Sequence, residues 1–435
     1  MPASVRAWGT LGVLMAAYTI SFIDRTILSL LIPPIQQDLG ISDTQISLLV
    51  GMAFAVFYTF MGIPLGRIAD RHNRRNLIAV GIAVWCLMTA ACGLARNHWQ
   101  LFVARIGVGV GEAALSPAAY SLISDLFPRE QLGRAIALYS VGLPIGSGLA
   151  LLIGGFVIET LAGLPPVDVP FIGILRPWQL TFLVVGLPGI FVALLVMTLH
   201  EPARRGRAGE AGSPALPQAQ AVSGVGLIQF LRLRRRVLAH QFGGLALLVI
   251  IVYGCTAWIP TFFIRVHGWT AAEIGTAYGV IFMICGSGGL LAGGQLADRW
   301  WRAGRKDAHL RVVLLSVVTM TPCFALMPWV SSADIAIVLL AAATFTSSLH
   351  GGVAGAALQL ITPNELRGQM TAVYFFIANL VGLGLGPTVV ALITDYGFRD
   401  AQSVGMSLTL LSAFAGIGSI LALSSGLMHY RRCIE

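Results

Sequence analysis

Four residues set the chemical problem in this chain: Asp24, Arg25, Arg105 and Glu112 lie inside long apolar runs. A charge at the centre of a bilayer costs about 2.5–3.5 kcal/mol on insertion scales, so such residues face a cavity or one another and mark ion or substrate paths. Arg105 and Glu112 are seven apart, which puts them on one helix face, about 10.5 Å apart along the axis. Asp24 falls at a depth similar to Arg105, because the first span runs outward and the fourth inward. Burial makes a carboxylate hold its proton and a nearby guanidinium loosens it, so small rearrangements can load or release one. The chemistry expected is a switch in which Arg105 pairs alternately with Asp24 and Glu112, according to which carboxylate is protonated. A static ion cluster that fixes helix packing is the plainer alternative. Arg25, about 100° around the helix from Asp24, either binds an anionic head group or reaches the outer interface. His350 is the ionisable mid-span candidate of the second half, either a packing residue or a proton relay.

The elements that hold these residues follow from hydropathy. Of 435 residues, 56% are hydrophobic and 11% charged, and mean hydropathy is +0.81; soluble domains carry roughly 25% charged residues. A helix crossing the hydrocarbon needs about 20 apolar residues. Twelve stretches qualify: 8–32, 45–65, 77–95, 99–122, 134–157, 178–199, 237–264, 273–297, 309–330, 334–358, 369–393 and 403–428. The first is too long for the apolar core of a signal peptide and contains Asp24 and Arg25, so it reads as a span. An even number puts both termini on one side.

The net charge of +9 is distributed accordingly. With the N-terminus cytoplasmic, 22 of the 28 basic residues fall in cytoplasmic segments, as the positive-inside rule requires. The surplus is therefore a topology signal and not a nucleic-acid footprint. The expected site is a bacterial inner membrane, with both termini cytoplasmic and the chain monomeric. Residues 200–236 are rich in Pro, Gly, Ala and Arg; they read as a cytoplasmic linker ending in a short surface helix. The linker separates six-helix bundles at 1–199 and 237–435. None of the six cysteines is spaced as C-x-x-C, and five lie in apolar runs, which suits packing residues.

The halves repeat. GRIADR at 66–71 returns as GQLADR at 294–299, and PREQLGRAIALY at 128–139 as PNELRGQMTAVY at 363–374. Parallel duplication of this kind is a transporter pattern, with the substrate between the halves near the midplane.

Gly66, Asp70, Arg71, Arg74 and Arg75 form a run that resembles the signature loop of the major facilitator superfamily, with a partial second copy at Gly294, Asp298 and Arg299. Asn73 stands where that family usually has a second glycine. The resemblance implies an all-α membrane fold of twelve helices in two pseudo-symmetric bundles, and a cytoplasmic gate at these loops. A helix end carrying Asp and Arg can lock neighbouring helix termini and release them. The run Arg105-Ile-Gly-Val-Gly-Val-Gly-Glu112 resembles a second motif of the family. Together with Asp24-Arg25, Ser124-Asp125-Leu126-Phe127 and Gly142-Leu-Pro144-Ile-Gly146 it is similar to the spinster branch. That similarity implies export of sphingolipids or lysophospholipids.

Gly107, Gly109 and Gly111 lie inside an apolar span, not at a strand-to-helix turn, and no G-K-[ST] accompanies them, which argues against nucleotide binding. Their expected use, with Gly142, Pro144 and Gly146, is close helix packing and flexing. The mid-span acids and arginines all sit in the first half, whereas the second offers Phe345, Thr346, Tyr374, Phe375 and Asn379. A cavity charged on one wall and apolar on the other suits an amphipathic molecule. The expected function is thus a proton-coupled carrier of an amphipathic lipid, without cofactor or metal. The alternative within transporters is a symporter of small organic anions. A lipid-modifying membrane enzyme is disfavoured, since no H-E-x-x-H or G-x-S-x-G occurs.

Overall fold

The computed structural model describes residues 5–163, 165–170, 173–202, 226–363 and 366–434. Twelve helical segments in it are long and apolar enough to cross a membrane. Spans 1 to 6 are Val5–Leu39, Asp43–Arg71, Arg74–Cys92, His98–Leu126, Gln131–Ala162 and Pro177–Met197. Spans 7 to 12 are Arg235–His267, Ala271–Arg302, Ala308–Trp329, Ala333–Leu360, Arg367–Phe398 and Ala401–Arg431. Most run past the apolar stretches, because a helix continues into the interface where hydropathy no longer records it. Even parity leaves the termini on one side, the terminal side; the opposite end is called the far side.

Local chemistry explains where spans begin. The Asn97 side chain accepts from Gln100 N and starts span 4. Thr270 and Glu273 form a capping box at span 8, and Pro177 occupies the first turn of span 6; each satisfies or removes a donor that a helix start leaves unpaired. Asn73 accepts from Asn76 N at 2.9 Å and starts span 3. The departure from the family's glycine is thereby explained: this residue serves as an N-cap.

The structure also contains a small hairpin before span 6. Strand β1 (Val167–Val169) pairs antiparallel with β2 (Gly173–Leu175), Val167 opposite Leu175. Too short to register in hydropathy, it is a local addition to an otherwise helical fold.

The chain condenses into two compact units. The first comprises Met1–Gly209 with Ile259–Met283, the second Glu210–Trp258 with Ile284–Glu435. The far-side ends of spans 7 and 8 thus pack with the first six spans. Small residues permit this: a Cβ on Gly155 of span 5 would lie 2.8 Å from Ala271 O, and one on Gly279 2.7 Å from Gly148 O. The halves expected at 1–199 and 237–435 describe chain duplication, which is a different matter from contact. Of the expected linker, residues 203–225 lie outside the described residues; Leu227–Leu233 is helical, with Phe230 buried and Ile228 and Leu233 exposed.

At the terminal side of the first unit Arg74, wholly buried, is the anchor. Its guanidinium donates to Asp125, to Ser121 Oγ at 2.9 Å and to Glu201 at 2.7 Å, while Arg75 N donates to the other Glu201 oxygen at 3.0 Å. Spans 3 and 4 and the end of span 6 are tied through one side chain.

The second unit uses an acid for the same purpose. Asp307, 4% exposed, accepts from Arg311 at 2.9 Å and Arg431 at 2.5 Å, joining the start of span 9 to the end of span 12. Burial pushes its carboxyl up, but the hydrogen bonds and charges of Arg431 and Arg311 outweigh this and hold it below the ordinary carboxylate range. A depressed folded-state value means stability present above the unfolded value of about 3.9 and lost as pH falls through the folded one. Because Arg431 is half-exposed, the contribution is about 1 kcal/mol after screening. Asp307→Asn should lower the melting temperature in detergent by a few degrees at pH 7, and the gap to wild type should close only below about pH 4.

Candidate functional site

The four mid-span charges come together in the first unit, on spans 1 and 4. Asp24 is 0%, Arg105 1% and Glu112 1% exposed, and the Arg25 side chain is 14% exposed. Glu112 ends the first helical part of span 4, His98–Glu112, just before a turn at Ala113–Ala114. Its Oε2 accepts from Arg25 Nε at 2.6 Å and from the Ser21 hydroxyl. Its Oε1 has no hydrogen-bond partner, and neither Asp24 oxygen has one. The Trp85 indole N–H, near Asp24, likewise makes no hydrogen bond of ordinary geometry.

Glu112 is thus paired with Arg25 in this conformation, a partner outside the expected switch, in which Arg105 alternates between Asp24 and Glu112. Ser21 and Arg25 reach Glu112 across from span 1. Arg105 instead donates to two main-chain carbonyls, Leu49 O at 3.4 Å and Asp24 O at 3.3 Å. The first belongs to a π-helical stretch, Leu48–Met52, of the kind often found at functional positions.

Arg25 does not extend to an interface. Its guanidinium carbon lies 4.8, 4.6 and 4.5 Å from the ring centres of Phe22, Phe54 and Tyr58, and that of Arg105 lies 5.6 Å from Phe54. Each such contact is worth about 0.5–2 kcal/mol, more when desolvated. The rings hold two like charges near one carboxylate without a second acid bonded to either. Ser21 and the aromatic collar are absent from the spacing argument, although their signals were present: Ser21 and Phe22 lie four and three residues before Arg25, and Phe54 and Tyr58 share a face at i, i+4.

Glycines bring the helices close enough for these contacts. A Cβ on Gly109 would lie 2.6 Å from Phe54 O, and one on Gly111 2.7 Å from Trp85 N. The atoms nearest a Cβ on Gly107 belong to the Met88 side chain. Gly142, Pro144 and Gly146 are buried, and a Cβ on Gly146 would lie 2.6 Å from Thr19 O of span 1.

His350 belongs to the second unit. It sits at a turn that divides span 10, its Nδ1 bonded to Ser347 O, an arrangement in keeping with the packing role. Elsewhere in the second unit Phe345, Phe375 and Phe376 are exposed, Thr346 bonds its own helix at Ala342 O and Asn379 Nδ2 bonds Phe375 O. At the two loop motifs, Asp70, Arg71, Asp298 and Arg299 are exposed. Gly66 approaches Pro117, but nothing lies within 4 Å of a Cβ on Gly294. The two copies are therefore not packed alike.

Twelve spans with buried, incompletely paired charges and duplicated loop motifs define a membrane carrier of the secondary type. The chain belongs to the Major Facilitator Superfamily, whose profile matches residues 14–387, and within it the chain is related to the spinster proteins. It is 29% identical to an MFS-type efflux pump of Mycolicibacterium smegmatis, over 99% of this chain and 94% of that one. It is 26% identical to the hexuronate transporter of Bacillus subtilis, over 88% and 86%. With protein spinster homolog 1 of Rattus norvegicus it shares 32% identity over 48% of this chain and 38% of the relative. Among solved structures, a bacterial homologue of the human lysosomal transporter Spinster, inward-facing and unoccupied, matches with a TM-score of 0.77 at 24% identity, covering 99% and 98% of the two chains. That likeness concerns the fold.

Proposed function

We propose that this protein is a proton-coupled transporter working by alternating access, and that it carries an amphipathic lipid with a polar or anionic head, of the sphingolipid or lysophospholipid kind. The observation that carries the reading is the half-committed cluster on spans 1 and 4. Glu112 has one oxygen bound and one without a partner, and Asp24 has none at all. A buried carboxyl without a hydrogen-bond partner of ordinary geometry suits a proton carrier, which makes Asp24 the second proton site of this reading. Glu112 and a substrate anion compete for Arg25. A proton on Glu112 weakens its bond to Arg25 and frees the guanidinium for an incoming head group; loss of that proton restores the pair and expels the ligand. The aromatic collar offers the apolar contact next to the charge. The terminal side is cytoplasmic in this reading, the membrane is a bacterial inner membrane, the carrier is monomeric, and the two loop motifs act as its cytoplasmic gate.

The lipid assignment draws support from the relationship to the spinster proteins. Transport of a small organic anion is the second reading, favoured by the hexuronate and galactonate transporter relatives, which align over most of this chain.

The test is counterflow of labelled substrates into liposomes holding the purified protein, with internal pH recorded. A lysophospholipid or sphingoid lipid should exchange, and Asp24→Asn should reduce transport driven by a proton gradient about tenfold or more. Normal gradient-driven transport by Asp24→Asn would remove the proton switch. Binding of small hydrophilic anions without any of the lipids would remove the lipid assignment and leave the second reading.

A further inference from the structure

In the second unit, the start of span 7 and the end of span 12 meet at the terminal side. The Ser419 hydroxyl of span 12 donates to Gly244 O of span 7 at 2.7 Å, and a Cβ on Gly426 would lie 2.9 Å from His240 Cβ. Where the helices come this close, the His240 and His429 rings stack, with 5.4 Å between centres and 14° between planes. Their Nδ1 atoms bond main-chain oxygens of their own helices, Arg236 O at 2.6 Å and Ser425 O at 3.3 Å. A carbonyl only accepts, so each Nδ1 carries its hydrogen and each ring is held by its own backbone. The two spans are antiparallel. Arg236, four residues before His240, and Arg432, three after His429, therefore both stand about one turn nearer the terminal side, roughly 4.5–6 Å beyond the stack. Below them lies an apolar stripe. Arg432 Nη2 reaches Met428 Sδ at 4.0 Å, and Met428 and Leu421, two turns apart on one face of span 12, are 58% and 64% exposed.

Two histidines with both Nδ1 atoms bound to carbonyls also match the outer shell of a metal site. The surroundings decide against one. Arg235, Arg236 and Arg432 are exposed, and among the described residues no carboxylate pairs with them, since Asp307 is taken up by Arg311 and Arg431. Such a ring of cations repels a metal ion and calls for an anion, and the stripe beneath calls for acyl chains. We infer that the groove between spans 7 and 12 is a binding site for an anionic phospholipid of the terminal-side leaflet. The phosphate bridges Arg236 and Arg432 over the floor of stacked imidazoles, and the chains run along Met428 and Leu421. Arginine suits the task, because its planar fork of donors matches phosphate oxygens. Basic residues satisfy the positive-inside bias anywhere on this face. What marks this place is two of them, from different helices, level with one another above a shared floor. The site is in the second unit, apart from Asp24, Arg25, Arg105 and Glu112, so its lipid is a resident and not a cargo.

The purified protein in neutral detergent would be mixed with equal amounts of phosphatidylglycerol and phosphatidylcholine, and the retained lipid counted by native mass spectrometry. Phosphatidylglycerol should be kept in preference. Arg236→Gln combined with Arg432→Gln should lower its retention about tenfold, and His429→Ala, which removes half the floor and neither guanidinium, by a smaller factor. Arg305→Gln combined with Lys306→Gln supplies the control. It removes as many exposed charges from the terminal side, between spans 8 and 9, and should leave retention unchanged. An equal loss in the control would show attraction to the charged face at large and overturn the site. Full retention after loss of Arg236 and Arg432, in protein that melts like wild type, would place the lipid elsewhere, the transport cavity included, and overturn it too. Soluble glycerol phosphate should not displace the lipid at matching concentration; complete displacement would make the ligand a free phosphate and end the lipid assignment. Glu112→Gln should keep its phosphatidylglycerol, so failure of the transport reading would appear separately, in counterflow.

Discussion

Glu112→Gln should abolish accumulation driven by a proton gradient while leaving exchange at equal concentrations intact. Glu112 accepts from Arg25 and Ser21 through one oxygen and keeps the other without a partner. A glutamine keeps the volume and an acceptor for Arg25, but it carries neither a removable proton nor a charge to compete with a substrate anion. Gradient-driven transport should fall on the order of tenfold or more, since each 1.4 kcal/mol of lost coupling is a factor of ten. The sign of the pH effect is determined too. In wild type, lowering pH on the loading side protonates Glu112 and frees Arg25, so binding of an anionic head should rise; in the variant it should become flat with pH. Steep pH-dependent binding by Glu112→Gln would place the switch elsewhere. Ser21→Ala is expected to act in the same direction but weakly, as it removes one donor and no charge.

The second large effect concerns folding. Gly111→Ala should destabilise the protein markedly and Gly107→Ala less, although the two glycines are one helical turn apart. The added methyl at Gly111 would meet Trp85 N at 2.7 Å and Gly81 O at 2.9 Å, both main-chain atoms of span 3 that cannot step aside. At Gly107 the nearest atoms are Cγ, Sδ and Cβ of Met88, at 2.4, 2.5 and 3.2 Å; the first two belong to a flexible side chain that can turn, and Cβ must give slightly. Overpacking costs about 1–3 kcal/mol, and a large chain loses roughly 2–4 °C per kcal/mol. A fall of several degrees is therefore expected for Gly111→Ala in a detergent melt, a smaller one for Gly107→Ala, and none for Gly294→Ala, which has open space. Because spans 3 and 4 carry Trp85 and Glu112, Gly111→Ala should also impair transport in whatever protein does fold. Equal melting temperatures for the two glycine variants would mean that spans 3 and 4 are not pressed together at Gly111.

Much of this was legible in one dimension, and the residues show why. Twelve apolar runs appear as twelve spans, because a bilayer leaves a helix no other way to satisfy its backbone. The odd charges stood out for the same reason: among so many apolar residues, Asp24, Arg25, Arg105 and Glu112 have no structural excuse other than one another. Helical spacing could also have found Ser21 and Phe22 beside Arg25, had contact across spans been weighed as well as spacing along them.

Partnership was beyond that reach. That Glu112 bonds Arg25, that Arg105 turns to the main-chain carbonyls of Leu49 and Asp24, and that the Asp24 carboxyl is left without a hydrogen bond depend on helix rotation and on a π-helical stretch in span 2. Those are settled by packing between segments many residues apart. The same holds for Arg265, whose partners Asp43 and Gln36 lie more than 200 residues away along the chain. Hydropathy is a one-body property of each residue in its solvent, so the chain declares its spans and its misfit charges directly. Pairing is a many-body property of the folded helices, and only the tertiary structure decides which charge answers which.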